Sequence, residues 1–437
     1  MVTQRRARRP KVERLPVPPD QPMDSSEKML AFLMNQRASS FPTLRVRDRR
    51  PEPVTGVSEP LVMHHQMRGG LLPFVAKVGG LGHKLDEIHA VYDIIMAQDL
   101  RYDLRQGFHF PSGASGALSP FLMNMSMGAK QDTALRYQCE AQVARRALNG
   151  RSKTFRDRLT AFSALGLGNY AVEQIMHAWV AAVPFGAMAL DNIRPSFGVR
   201  HYPDKAPDVS GYFVLESPDP AWGNGAVERA LKAMGEDTLW NQISAFDRAT
   251  FKERGFGILA IDLPADGTLE VKLYKRSEKI GPGQLKRLLA SVEAGPEGAE
   301  LLKRFTDLFV PPYVKKLIGG IGYVLDRGGR PPAFKLYLDT SRMYDDWEAV
   351  TRLRTWLTDV GFHQARDVFE QIRAALAPEV SLRGVGNFID LVSLDVGKAG
   401  LFKTTVYYAP EVSLRELALR HRDLLPTWGG ALSWDRT

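Results

Sequence analysis

The sequence predicts an α+β protein: an antiparallel β-barrel of repeated α-β-β-α units inside an outer ring of helices, preceded by a helical N-terminal extension. Three observations predict it. A strand–turn–strand pattern recurs four times after residue 194, amphipathic helices fill the intervals, and the second strand of every hairpin carries a tyrosine. A repeat of this size marks repeated supersecondary units, and closure is the simplest way to leave an antiparallel sheet without edges.

Taken in order, residues 1–60 read as a basic, Pro/Arg-rich arm, 61–165 as a mostly helical extension and 166–437 as the barrel. The arm holds Arg5, Arg6, Arg8, Arg9, Lys11 and Arg14 against Glu13 within its first 14 residues, so it carries +5 of the total +9. Basic, proline-rich arms are usually solvated tails. HKLDEIHAVYDIIMAQDLRYDLR, DTALRYQCEAQVARRAL and NYAVEQIMHAWVAAV place apolar residues three and four apart, which predicts helices. The four hairpins are PSFGVRHY/SGYFVLES, GFGILAIDL/TLEVKLYKR, GGIGYVLD/PAFKLYLD and FIDLVSLDV/LFKTTVYYA. Their turns (PDKAPD, PADG, RGGRP and GKAG) hold the residues that tight reversals favour. GAVERALKAMG, LLKRFTDLFVPPYVKKL and WEAVTRLRTWLTDVG lie between them as amphipathic helices.

Composition excludes several classes. The 437 residues are 44% apolar and 24% charged, ordinary for a folded globular chain, with no apolar run long enough to span a bilayer. The one cysteine, Cys139, excludes an internal disulfide and a cysteine-cluster zinc site. With no signal-peptide pattern at the start, the expected location is cytoplasmic. The mildly basic body suits an anionic small substrate.

Tyr212, Tyr274, Tyr337 and Tyr407 are separated by 62, 63 and 70 residues, and two of them close the same tripeptide, Lys272-Leu273-Tyr274 and Lys335-Leu336-Tyr337. Side chains two apart on a strand share a face, so Lys and Tyr point into the lumen while Leu273 and Leu336 face the helices. Two lysines in one cavity repel each other and are costly to bury without an anion, so the lumen is predicted to bind one, such as a diphosphate. The tyrosine faces can stabilise a carbocation, at about 0.5–2 kcal/mol per ring.

ILAIDLPADGTLEVKLYKR and YVLDRGGRPPAFKLYLDTSR, with the helix WEAVTRLRTWLTDVGF, resemble the dimethylallyl tryptophan synthase family, the soluble aromatic prenyltransferases of the ABBA (α-β-β-α) barrel. LVSLDVGKAGLFKTTVYYAPE is similar to that family's last hairpin and LGNYAVEQIMHAWVAAVPFG to the helix before its first, so the resemblance covers about residues 165–425. It implies transfer of a prenyl group from an allylic diphosphate, dimethylallyl or longer, to an electron-rich aromatic acceptor in secondary metabolism. Lys272, Lys335 and Arg200 then hold the diphosphate, and Tyr274, Tyr337, Tyr407 and Tyr212 shield the allylic cation. The implied partners are the diphosphate and a small-molecule or peptide-like aromatic acceptor, with no membrane or nucleic acid, in a monomer or homodimer. No metal and no cofactor is implied, and Mg2+ is not required.

Three departures accompany the resemblance. The family's arginine on the second strand of its first hairpin meets Tyr212, so that contact is either lost or taken by Arg200 or His201. Its first-strand glutamate, which accepts an indole N–H, has no counterpart in PSFGVRHY, where only Ser196, Arg200 and His201 are polar besides Tyr202. That inventory suits an acceptor carrying a carboxylate, phenolate or carbonyl. Finally, a fifth hairpin is missing, to be sought at TLRVRDRR and PLVMHHQM or within residues 100–165.

Other functions compete less well. A non-catalytic barrel binding an anionic aromatic or lipid ligand, and a nucleic-acid-binding protein using the basic arm, are the alternatives. Gly166-Leu-Gly168-Asn-Tyr-Ala171 follows a helical rather than a strand pattern, which fails the dinucleotide-binding context. Asp345, Asp346 and Glu348 open a helix, where acids favour the dipole. The histidines at 64, 65, 83, 89 and 109 lack ligand spacing, and Met63, Met67, Met123, Met125 and Met127 read as core.

Overall fold

The computed structural model describes residues 62–96, 100, 121–128, 134–140, 150–165, 175, 177–178, 181–182, 193–215, 220–241, 257–263, 270–280, 282–291, 293–310, 317–326, 333–340, 344–378, 388–397, 402–410, 413–414 and 417. The basic arm, TLRVRDRR and the Gly166–Ala171 stretch lie outside them.

Ten antiparallel strands close into a barrel in which every strand pairs with its sequence neighbours and β1 (Phe121–Gly128) pairs with β10 (Phe402–Tyr408). The four expected hairpins form β3 (Ile193–His201) with β4 (Asp208–Leu215), β5 (Ile258–Leu263) with β6 (Glu270–Ile280), β7 (Leu317–Asp326) with β8 (Ala333–Leu338), and β9 (Ile389–Val396) with β10.

The fifth hairpin is β1 with β2 (Ala134–Glu140), inside the stretch expected to be a mostly helical extension. The barrel therefore begins near residue 121 rather than 166, and the helical reading of DTALRYQCEAQVARRAL is corrected over Ala134–Glu140. The physical reason is period two: Leu135, Tyr137 and Cys139 are buried on one face and Arg136 and Gln138 lie on the other. Met123, Met125 and Met127 alternate in the same way with Asn124 and Ser126. PLVMHHQM is not a strand, because Met63–Gln66 is helical.

The described helices are α1 (Met63–Gln66), α2 (Leu72–Val78), α3 (Leu85–Ile95), α4 (Gly150–Ala164), α5 (Pro220–Ala233), α6 (Pro282–Ser291), α7 (Gly295–Phe309), α8 (Asp346–Asp359) and α9 (His363–Leu376). None is long and apolar enough to cross a membrane. They cover the outer face of the barrel. Phe155 of α4 stacks on Phe197 at 4.5 Å and meets Phe213, Phe369 of α9 stacks on Tyr408, and Trp356 of α8 donates its Nε1–H to Thr404 Oγ1 at 2.9 Å. Leu273 and Leu336 have the outward parity and are fully buried. Burying such a side chain contributes about 1.5–3 kcal/mol.

Asp345 caps α8 by accepting from the Glu348 backbone N–H at 2.8 Å, and Asp346 accepts from the Phe388 N–H at 2.9 Å. Both acids sit at the helix start, where the sequence places them; Asp345 caps it, while Asp346 ties it to the start of β9.

The β2–β3 pair is tied to α3 by a buried relay. Tyr137 bonds His201 Nε2 at 3.0 Å, and His201 Nδ1 bonds Glu87 at 3.1 Å. The Tyr137 hydroxyl also reaches the Ile88 carbonyl at 3.3 Å. Burial pushes the His201 imidazole below its ordinary value although Glu87 opposes this, so it is neutral: its Nδ1–H donates to Glu87, and Nε2 shares the single Tyr137 hydroxyl proton with the Ile88 carbonyl. Tyr137→Phe should leave Nε2 unpaired in the core. Urea unfolding is expected to show a loss of about 1–3 kcal/mol, and an unchanged midpoint would remove the relay from the account of stability.

Candidate active site

Strand alternation sends two different inventories to the two faces of the barrel. The inward positions carry Asn124, Ser126, Arg136, Gln138, Ser196, Arg200, Ser210, Tyr212, Asp262, Lys272, Tyr274, Lys335, Tyr337, Ser393, Asp395, Lys403, Thr405 and Tyr407, as the cross-strand register and contacts require. All seven residues proposed from the sequence, Tyr212, Tyr274, Tyr337, Tyr407, Lys272, Lys335 and Arg200, are in this set. His201 is not: it faces α3.

The charges gather at the end of the barrel where the two strands of each hairpin connect. Arg136, Lys272, Lys335 and Lys403 are near the starts of their strands, and Arg200, Asp262 and Asp395 near the ends of theirs. Antiparallel pairing brings all these positions to one rim. Two carboxylates organise the cations. Asp262 is paired with Lys272, lies 3.6 Å from Arg136 Nη2 and 3.9 Å from Arg200 Nη2, and is buried. Burial alone would raise its pKa, but these three cations outweigh it and hold the carboxyl well below the usual range. Lys272 also meets Glu270 at 2.8 Å.

Asp395 lies 3.1 Å from Lys335 Nζ, which also donates to Thr405 Oγ1 at 3.2 Å. Burial lowers the affinity of Lys335 for its proton, yet the Asp395 charge prevails and keeps the ammonium above its ordinary pKa. Beyond the rim, Lys335 Nζ sits 5.3 Å from the Tyr337 ring centre and 5.6 Å from that of Tyr407.

The rings form a continuous wall. Tyr274 meets Tyr337 edge-on at 5.6 Å, and Tyr337 meets Tyr407 at 5.8 Å. Tyr212 stands apart, beneath Arg136 at 5.5 Å and across Gly198, where a Cβ would come within 2.9 Å of its ring. Burial raises the Tyr274 and Tyr337 hydroxyl pKa values, whereas Lys335 and Arg136 outweigh burial at Tyr407 and lower its value.

Several lumen polar atoms have no hydrogen-bond partner among the described residues: Asn124 Oδ1, Arg200 Nε, Asp262 Oδ1 and Asp395 Oδ1. The last two are met by cations; the first two face the cavity unanswered. Buried groups of this kind cost about 1–3 kcal/mol each unless a ligand or water satisfies them.

Sequence reasoning missed Arg136, Asp262, Asp395 and Lys403. Arg136 lay in a segment read as helix. Lys403 shares its face with Tyr407, four residues on, so the same parity that found Lys272 and Lys335 applied to it. Because the first hairpin is β1–β2, the second strand of the first hairpin carries Arg136 rather than Tyr212. The first strand, FLMNMSMG, still supplies no acid; its inward residues include Asn124. Among the described residues, no three His, Cys, Asp or Glu side chains are grouped to hold a metal ion.

No family model matches the sequence, and no curated protein matches it. Solved structures do. The 6-dimethylallyltryptophan synthase of Micromonospora olivasterospora, in complex with DMASPP and Trp, is 21% identical, with a TM-score of 0.63 over 81% of this chain and 98% of that one. The 5-dimethylallyl tryptophan synthase of Streptomyces coelicolor, also with DMASPP and Trp, is 19% identical, with a TM-score of 0.60 over 81% and 97%. AnaPT from Neosartorya fischeri is 17% identical, with a TM-score of 0.62 over 81% and 95%. This chain has their fold. The α-β-β-α barrel expected from the sequence is thus the prenyltransferase barrel, spanned over nearly the full length of those proteins.

Within that barrel, Gly322 is the pivot of the aromatic wall. It pairs with both Tyr274 and Lys335, and a Cβ there would lie 3.1 Å from Tyr274 Cδ1 and 3.3 Å from Tyr337 Cε2. Gly322→Ala should push the two rings apart, with a loss of about 1–3 kcal/mol seen as a lower Tm and a changed near-ultraviolet tyrosine spectrum. An unaltered spectrum would mean the rings are not held against this position.

Proposed function

We propose that the protein is an aromatic prenyltransferase that moves an allylic group from its diphosphate to an electron-rich ring. One observation carries the reading: a cationic rim and a wall of three touching tyrosines share one barrel lumen. Leaving-group departure from an allylic diphosphate separates a cation from an anion, and this site has a place for each. The same-fold enzymes solved with DMASPP and Trp support the choice of substrate class.

Lys272, Lys335 and Arg200, with Arg136, would bind the diphosphate oxygens through charge-assisted hydrogen bonds. Arg200 Nε, unpaired in the core, has a donor to give. As the carbon–oxygen bond breaks, the cation spreads over the allyl group against the faces of Tyr274, Tyr337 and Tyr407, with Tyr212 closing the opposite side. Stabilisation of the two separating charges by fixed groups is the main catalytic contribution. The rings and the closed sheet keep water from capturing the cation. The acceptor is held beside it so that ring carbon and allylic carbon meet, after which the ring loses a proton to restore aromaticity. Cationic side chains neutralise the diphosphate, so Mg2+ is not needed.

Incubation with dimethylallyl diphosphate and a panel of indoles, phenols and aromatic peptides should release diphosphate and add one isoprene unit to an acceptor, read by mass spectrometry. Diphosphate release without any prenylated product would leave a hydrolase instead. EDTA should leave the rate unchanged; loss of activity restored by Mg2+ would contradict the metal-free mechanism.

The neutral group at Asn124 suits acceptors other than free tryptophan, which should turn over more slowly than the best phenolic or peptide-like member of the panel. A clear preference for tryptophan would overturn this. Lys272→Ala and Lys335→Ala should each weaken the diphosphate complex and slow turnover by roughly tenfold to a hundredfold, corresponding to about 1.5–3 kcal/mol. Wild-type kinetics in both would remove them from the diphosphate site.

A further inference from the structure

Lys403 is the cation of the rim that no carboxylate claims. Lys272 has Asp262 and Glu270, Arg136 and Arg200 share Asp262, and Lys335 has Asp395 and Thr405. Lys403 stands opposite Asp395 in the β9–β10 register, and Asp395 stands opposite Lys335 in the β8–β9 register, so one carboxylate lies between two lysines and is held by the other. Among the described residues no ion pair reaches the Lys403 ammonium. The charged groups facing it come from four strands: Asp395 of β9 favours its charge, while Arg200 of β3, Lys335 of β8 and Lys272 of β6 oppose it. On β1 the paired position is Gly128, which brings no charge.

We propose that Lys403 is the proton-accepting member of the anion site: entry of the prenyl diphosphate draws one proton from solvent onto its amine, and departure of inorganic diphosphate returns it. The inference rests on the prenyltransferase reading and deepens it. The physical reason is mutual repulsion. Desolvation, followed by the neighbouring cations, lowers the empty-site Lys403 pKa to about 7, so near neutrality the rim sheds charge at its least-paired lysine. A diphosphate reverses the sign of the local field and makes the ammonium the favoured form. The rim thereby matches its charge to its contents.

The sign of the pH dependence follows. Below about pH 7 Lys403 is already charged and donor affinity is flat with respect to this group. Above it, each binding event must bring a proton from an ever poorer supply, so affinity falls with rising pH until the pKa of the occupied site is reached.

The test is calorimetric titration of the full chain with dimethylallyl S-thiolodiphosphate, an analogue of the donor, at about pH 8 in two buffers of different ionisation enthalpy. At that pH the analogue is fully ionised and supplies no proton of its own. The wild type should take up close to one proton per analogue bound, falling towards zero at about pH 6. Lys403→Arg, permanently charged, should bind with no uptake and with affinity nearly level between pH 7 and 8.5. Lys403→Met should also show no uptake, with affinity lowered roughly tenfold or more at pH 6.5, and circular dichroism would confirm that both variants fold. Tight binding by the wild type without uptake, or uptake that persists in Lys403→Arg, would overturn the role of Lys403 and leave the prenyltransferase reading standing. No binding of the analogue to the wild type would overturn both.

Discussion

Closure of the sheet is the constraint on which the rest of this structure depends. A ten-stranded antiparallel sheet joined at β1 and β10 has no free edge, so every strand residue must choose between a helix-covered exterior and a lumen. The choice follows parity. Met123, Met125, Tyr137, Phe197, Phe213, Leu273, Leu336, Val406 and Tyr408 go outwards into apolar packing. The residues between them go inwards, and most are polar or aromatic with hydroxyl groups. A polar interior enclosed by an apolar shell is an inverted core, and its free energy depends on what the polar groups find there.

They find one another only in part. Asp262 and Asp395 anchor the two halves of the cationic rim: Asp262 is buried, which is tolerable because three cations surround it, and the half-buried Asp395 holds Lys335. Removing either carboxylate would leave arginines or lysines facing each other across a low-dielectric cavity, where repulsion is far stronger than in water. The cations still outnumber the carboxylates they share. This imbalance gives the lumen its appetite for an anion, and the adjoining rings give the same lumen a place for transient positive charge. Hairpin geometry keeps the two functions apart: charges near the turns, rings farther along the strands.

The outer surface matters to the inner one because adjacent residues serve both. Arg136 precedes Tyr137 and Arg200 precedes His201, so the relay that pins Tyr137 and His201 to Glu87 also fixes the backbone from which both arginines reach Asp262. Trp356 does the same for β10, where its bond to Thr404 lies between Lys403 and Thr405. Residues with no contact to substrate thus set the angles of those that have it.

The sequence by itself determined the four later hairpins, the inward parity of Lys272, Tyr274, Lys335, Tyr337, Tyr407 and Tyr212, and the place of Asp345 and Asp346 at a helix start. Each of these is a local property, written in periods of two or in the chemistry of a turn or cap. It did not determine which segment closes the barrel, because Leu135, Tyr137 and Cys139 also satisfy part of a helical pattern, and only pairing with β3 and β1 selects the extended form. Nor could it distinguish an inward His201 from an outward one without that register. The grouping of Arg136, Arg200, Lys272 and Asp262 belongs to tertiary structure alone: they come from four strands spread over more than a hundred residues of chain, and a field at one point in space is the sum of charges that only the closed sheet brings together.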